Sequence, residues 1–205
     1  MIDANMIGIP LETTAVQKQN TGDSGKIVSR SEIKYDALNS WLPSSVLSYD
    51  ILNSTSSTEI TYNWYDGKGH IMQYTPKNGV PVTIIWGYNS TQPIAKIEGV
   101  TYRNLLNIAQ ANVTQIINAS DSDASNPDNE PALITALDTF RKNIDLSAYQ
   151  ITTYTYDPLI GVTSITPPSG IREAYFYDSA NRLKEIREND QTGNLLKEFK
   201  YNYKQ

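Results

Sequence analysis

The chain predicts a mainly β fold, an antiparallel meander of β-hairpin repeats with a helical hairpin inserted at about residues 101–143. Three observations lead there. The dipeptide Tyr-Asp recurs with Gly or Asn three residues after the Asp: Tyr35-Asp36…Asn39, Tyr49-Asp50…Asn53, Tyr65-Asp66…Gly69 and Tyr177-Asp178…Asn181. A looser copy, Tyr156-Asp157…Gly161, carries one extra residue. Apolar residues alternate with polar ones on both sides of these dipeptides, the period of a half-buried strand. Between residues 101 and 143 the period changes to three and four, the period of a helix.

In chain order, residues up to 19 read as an extended lead and residues 20–25 as a turn. A strand follows at 26–35. Residues 54–57 are a polar connector. A meander comes next, with strands at 59–65 and 70–75 joined by the turn at Asp66. Asn78-Gly79 is a type I′ hairpin signal, and the chain returns at 80–86 with Val82, Ile84 and Trp86 on one face. Residues 93–98 form a short strand. Leu105, Ala109, Val113 and Ile116 share a helical face, flanked by Leu106 and Ile117, and predict a helix over 101–119. Leu133, Leu137, Phe140 and Ile144 predict a second over 130–143, with Pro131 in its first turn. The acidic segment 120–129 joins them as a loop. This helical hairpin buries its apolar stripe on one face of the sheet. Strands resume at 151–156, 162–166, 172–177, 183–188 and 195–203, with turns at 157–161, 167–170, 178–181 and 190–194. Three parts result: residues 1–100, 101–145 and 146–205.

The repeat has a physical reason. Asp at position i and Gly at i+3 is the preference of a type I turn. The Asp side chain accepts from amide groups just ahead of it, and the fourth residue takes φ > 0, which Gly and Asn tolerate. The turn residues are thus Asp36 with Asn39, Asp66 with Gly69, Asp157 with Gly161 and Asp178 with Asn181. Tyr ends the incoming strand, where its ring packs and its hydroxyl can stay wet. The copy at Tyr49 fits least, because polar Thr55 stands where the others place an apolar residue. Tyr-x-Tyr pairs at Tyr154/Tyr156, Tyr175/Tyr177 and Tyr201/Tyr203 place two rings on one strand face. These pairs read first as packing of the repeat. With Trp86, Tyr154, Tyr156, Tyr175 and Tyr177 are also the candidate stacking faces for sugars.

Composition excludes several functions. The 205 residues carry a formal charge of −5 without a basic cluster, so nucleic acid is not an expected partner. There is no Cys, hence no disulfide, thiol catalysis or thiolate metal site. No long apolar run predicts a membrane span. The best metal candidate is Asp121-x-Asp123-x-Ser125, spaced like the first ligands of a calcium loop. It lacks Gly at the sixth position (Asn126) and a bidentate Glu at the twelfth (Ala132), so no metal or other cofactor is expected. His70, the one histidine, has no nucleophile and carboxylate marked as its partners. The chain is not expected to be an enzyme.

The run Ile151-Thr-Thr-Tyr-Thr-Tyr-Asp-Pro-Leu-Ile-Gly161, with Tyr175-Phe-Tyr-Asp-Ser-Ala-Asn-Arg-Leu183, resembles the RHS/YD-repeat family, in the form found in large surface or secreted proteins of Bacteroidetes bacteria. So do Asn5-Met-Ile-Gly-Ile-Pro-Leu-Glu-Thr13 and Trp86-Gly-Tyr-Asn89 with Pro93-Ile-Ala-Lys-Ile97. The usual unit has Gly where Asn181 stands, and Arg182-Leu183 keep the rest. The resemblance implies a non-catalytic building block of an exported protein, part of a β-sheet shell or a surface stalk, found at the cell surface or secreted. Its implied partners are further repeats of the same parent chain and a C-terminal toxin domain. The alternative is a carbohydrate-binding adhesin module with a surface glycan as partner. The last strand, 195–203, is expected at a sheet edge, where Lys197, Lys200 and Lys204 blunt it in part and pairing with a second copy gives a weak dimer.

Overall fold

The computed structural model describes residues 8–35 and 41–201. The expected turn at Asp36 and Asn39 lies outside these residues, as does Tyr203. The fold is a mainly antiparallel β meander with an inserted helical hairpin, and it divides into two compact units, Met1–Pro81 and Val82–Gln205.

The first unit holds β1 (Glu12–Gln17), β2 (Lys26–Tyr35), β3 (Pro43–Asp50), β4 (Thr55–Tyr65) and β5 (Ile71–Pro76). Each pairs antiparallel with the next. The register sets Ile33, Val46, Ile60 and Pro76 opposite one another, with Tyr62 opposite Tyr74. The other face is polar: Lys34, Ser45, Thr61 and Thr75 also stand in one row. No described residue of this unit is buried. Two sequence expectations change here. Of the expected connector 54–57, only Ser54 lies in the turn; Thr55 begins β4, and Ser56 and Ser57 pair with Tyr49 and Ser48 in a polar ladder. Asn78-Gly79 is not a type I′ turn, which needs φ > 0 at both central residues. Here Gly79 has φ +77°, Asn78 does not have positive φ, and the Gly79 N–H donates to the Pro76 carbonyl at 2.9 Å.

The second unit holds β6 (Val82–Gly87), β7 (Gln92–Glu98), α1 (Tyr102–Ser125), α2 (Glu130–Arg141), β8 (Gln150–Asp157), β9 (Gly161–Thr166), β10 (Glu173–Tyr177), β11 (Leu183–Glu188) and β12 (Leu195–Glu198). Its strands are again antiparallel in chain order. Thr101 caps α1, its hydroxyl oxygen accepting from the Asn104 N–H, and α1 is kinked at Ala109. The helices cover one sheet face, whose rows are Thr83, Ile97 and Ile151, then Ile85, Ala95 and Thr153, all buried. Leu105, Ala109, Val113 and Ile116 of α1 and Leu133, Leu137 and Phe140 of α2 meet that face and complete the core.

The helix-facing side of β6 is Thr83, Ile85 and Gly87, which alternate with Val82, Ile84 and Trp86. Three expectations are corrected in this unit. Ile144 is 79% exposed, because α2 ends at Arg141 and the chain turns away. The loop expected at 120–129 is helical to Ser125, so α1 is longer than its apolar stripe implies. β12 is also shorter than expected, ending at Glu198, and it stands last in the strand order beside β11.

Candidate functional site

The Tyr-Asp hairpins share one device. At Asp66 and at Asp178, Oδ1 accepts from the N–H groups two and four residues on, at 2.8 Å from Lys68 and His70 and at 2.8 and 3.1 Å from Ala180 and Arg182. The Asp carbonyl accepts from the third residue, Gly69 at 3.1 Å and Asn181 at 2.9 Å. Those third residues are left-handed, with φ +87° and +57°. Oδ2 binds the side chain four residues on, His70 Nδ1 at 2.9 Å and Arg182 Nε at 2.8 Å. One carboxylate thus closes the turn with both oxygens. Side-chain and backbone bonds from Arg182 hold the Asp178 carboxyl down at about 2. Burial opposes ionisation of Asp66, but the His70 and Lys68 bonds overcome it and leave its pKa lowered.

The aromatic residue closes a second contact. Tyr65 donates its hydroxyl to the Pro43 carbonyl at 2.8 Å, Tyr156 to Pro93 at 2.9 Å, Tyr177 to Val162 at 2.7 Å and Tyr201 to Leu183 at 2.8 Å. In each case the acceptor lies at the start of the preceding strand or next to it. These hydroxyls are therefore latches between successive hairpins, part-buried at Tyr65, Tyr156 and Tyr177 and exposed at Tyr201. Desolvation pushes the Tyr65 and Tyr156 phenols up to about 12. A register shift falls immediately before the aromatic at Tyr35, Tyr65, Trp86, Tyr156 and Tyr177. It is a bulge in the outgoing strand, which sharpens the local twist. The Tyr49 copy differs: its hydroxyl donates to Glu32 at 2.5 Å, and the left-handed residue is Ser54. Successive turns of a meander alternate between sheet edges, so this copy lies on the edge opposite the Asp66 turn. Asp157 keeps the side-chain cap, accepting from the Leu159 N–H at 2.8 Å, and Gly161 has φ +147°.

The acidic segment docks a strained turn. Tyr88, Asn89 and Ser90 are successively left-handed between β6 and β7. α1 receives them: Tyr88 N–H donates to Ser120 Oγ at 3.1 Å, Asn89 N–H to Asp121 Oδ1 at 2.6 Å and Tyr88 Oη to Asp123 Oδ2 at 2.7 Å. Tyr156 N–H donates back to Tyr88 Oη at 2.8 Å, and the two rings meet edge-on at 5.5 Å. Asp123 is 3% exposed and burial raises its pKa. Gly87 permits the approach, since a Cβ there would stand 2.1 Å from Ser120 Oγ. Asp121, Asp123 and Ser125 are thus helical residues, and Ser125 Oγ donates to the Asp121 carbonyl at 3.0 Å. No cluster of three or more metal-ligating side chains occurs among the described residues.

The stacking candidates are dispersed. Tyr154 and Tyr175 alternate with the buried Thr153, Thr155 and Ala174, so they stand on the face away from the helices. Tyr156 packs against the core and Tyr177 latches β9. Trp86 is half-buried.

A cleft of about 350 Å³ opens elsewhere, between α2 and the strands β9 and β10. The pairing of those strands extends over Glu173↔Ile165 and Ala174↔Ser164. Glu130, Ile134, Thr163, Arg172, Phe176 and Asp190 line the opening. Glu130 Oε1 accepts from the Thr155 hydroxyl at 2.9 Å and from that of Thr163. Arg172 donates to Asp138 at 2.7 Å and to Thr166 at 3.1 Å. Sequence reasoning missed this site, because its residues come from a helix, two strands and a turn with no shared spacing.

Known proteins give sparse likenesses. No protein-family model matches the chain, and neither does a curated protein. Among solved structures, those of TcdB2-TccC3-Cdc42 and of TcdB2-TccC3 without its hypervariable C-terminal region are similar to it, each at a TM-score of 0.44 and 11% identity. The matches cover 90% and 89% of this chain. The chain spans 8% of the length of either structure. No helix among the described residues is long and apolar enough to cross a membrane.

Proposed function

We propose that this chain is a non-catalytic structural segment, a block of Tyr-Asp hairpin repeats in a larger exported protein of the RHS/YD-repeat kind, where it builds part of a β-sheet shell or surface stalk. The observation that carries this reading is the shared use of the repeated residues. Asp66 and Asp178 spend both carboxylate oxygens on their own turns. Tyr65, Tyr156, Tyr177 and Tyr201 spend their hydroxyls on a neighbouring strand. Residues engaged this way at these copies join one hairpin to the next, and further repeats of the parent chain are its natural neighbours. Export, a C-terminal toxin domain and the Bacteroidetes form are proposed from the sequence resemblance.

A glycan array probed with the 205-residue chain tests the reading against the adhesin alternative. The structural role expects no glycan retained above background. Retention that is lost on replacing Tyr154 and Tyr175 with Ala, with the melting temperature unchanged, would replace this reading with the adhesin.

A further inference from the structure

We propose that the furrow along α2 binds a short extended peptide carrying a basic group at one end and an acidic group at the other. The cleft beside Glu130 is continued by a second of about 240 Å³, lined by Asp138, Arg141, Lys142 and Gly170, and the two share Arg172 and Asn189. The Arg172–Asp138 ion pair, at 2.7 Å, neutralises the junction of the two clefts, and charge is segregated on either side of it. At one end stand Glu130 and Asp190. Glu130 Oε1 is fixed by two hydroxyls, while its Oε2 makes no hydrogen bond among the described residues. Asp190 likewise commits Oδ1 to the Thr192 amide and hydroxyl, both at 2.7 Å. At the other end stand Arg141 and Lys142. The Arg141 guanidinium is held by the carbonyls of Ile151, Thr166 and Pro167, so the positive charge there is placed rigidly.

A ligand of one sign would meet like charge at one end. A dipolar ligand satisfies both, and the apolar strip of Ile134, Ala174 and Phe176 between them suits a peptide's carbon surface. The span from Glu130 to Lys142 is about 18 Å at 1.5 Å per helical residue, which is about five residues of extended chain. This inference does not rest on the structural role proposed above.

Titration of the isotopically labelled chain with three end-blocked pentapeptides tests it. One has Lys and Glu at its two ends around three Gly, one has Lys at both ends and one has Glu at both. The dipolar peptide is expected to shift the amides of Ala174, Phe176 and Gln191, with Kd below about 1 mM and weaker binding at high salt. The two single-sign peptides should bind several-fold more weakly. Glu130→Gln keeps an acceptor for Thr155 and Thr163 and should weaken the dipolar peptide about 3- to 5-fold, the size of an exposed ion pair. Asp190→Asn, on an exposed turn, should do the same and serves if Glu130→Gln does not fold. Equal affinity for all three peptides, no saturable shift, or unaltered binding in the variants would overturn the proposal. So would a neutral oligosaccharide that shifts these amides where the dipolar peptide does not.

Discussion

The two compact units use the same hairpin device but are stabilised differently. The first, Met1–Pro81, has no buried residue among those described. Its strands are held by their ladder, by one half-buried apolar row and by the Tyr65 latch. The second, Val82–Gln205, places two helices on its sheet and encloses a core in which Phe140, Leu133, Leu105 and Ile116 are fully buried. The Tyr-Asp repeat therefore specifies hairpins and register, but not a core. The core comes from the insertion, which supplies the second layer that a single sheet lacks.

This contrast can be broken most directly in the helices. Phe140→Ala should cost about 3–5 kcal/mol, the usual range for emptying a packed aromatic site. Ile60→Ala, in the half-buried row of the first unit, should cost about 1 kcal/mol. Urea unfolding of each variant measures the two, and equal losses would mean that the layers are not energetically distinct. A smaller effect is expected where the units are alike. Gly69→Val forces a β-branched residue to φ +87° and should cost about 1–2 kcal/mol. Gly67→Ala, in open space two residues earlier, should be neutral or slightly stabilising. A Val accepted at 69 without loss would show that the turn re-forms as another type.

The latches sharpen the comparison further. Tyr65→Phe in the first unit and Tyr177→Phe in the second each remove one hydroxyl donor from a half-buried site, so each should cost about 0.5–1.5 kcal/mol. Similar melting shifts in both would confirm a device independent of the core. A shift in Tyr177→Phe alone would tie the latch to the second layer.

The smallest expected effect is on titration. Arg182 holds the folded pKa of Asp178 at about 2, below the ordinary aspartate value of about 3.9. A depressed acid stabilises the fold above its unfolded pKa, and that contribution is lost as pH falls through the folded one. The turn between β10 and β11 should thus loosen between about pH 4 and pH 2. A carbon-detected titration of the Asp178 carboxyl reads it, and a midpoint near 4 would mean that the Arg182 contact does not persist in solution.

Much of this architecture was legible in the sequence. β2 and β11 fall at their predicted bounds, because alternation and flanking turn residues coincide there. Both helices were legible from their apolar stripes. The C-terminal end of α1 was not, because the stripe stops at Ile117 while polar Ser120, Asp121 and Asp123 continue the helix to dock a turn distant in sequence. β3 and the start of β4 escaped notice, since a ladder of Ser and Thr has no apolar period to read. The latches were invisible for a different reason. A tyrosine hydroxyl shows no sign in sequence of which carbonyl, 15 or 63 residues away, it will meet.

The edges of the second unit's sheet are unequal. One carries the turns after Trp86, Tyr156 and Tyr177, each followed by a bulge in the outgoing strand, with latches at Tyr156 and Tyr177. The other carries the two helices between β7 and β8 and the turns at Gly170 and Gly193. A latch reaches back only one hairpin, so cooperativity passes from neighbour to neighbour, as in a linear chain of coupled units. The latched edge sets the spacing between hairpins, and the Tyr156 turn takes its extra residue without losing its latch. The opposite edge is free to lengthen. The 51 positions separating Glu98 from Gln150 show how far it can do so while β7 and β8 stay in register, which makes it the side on which such an array can acquire new domains without being rebuilt.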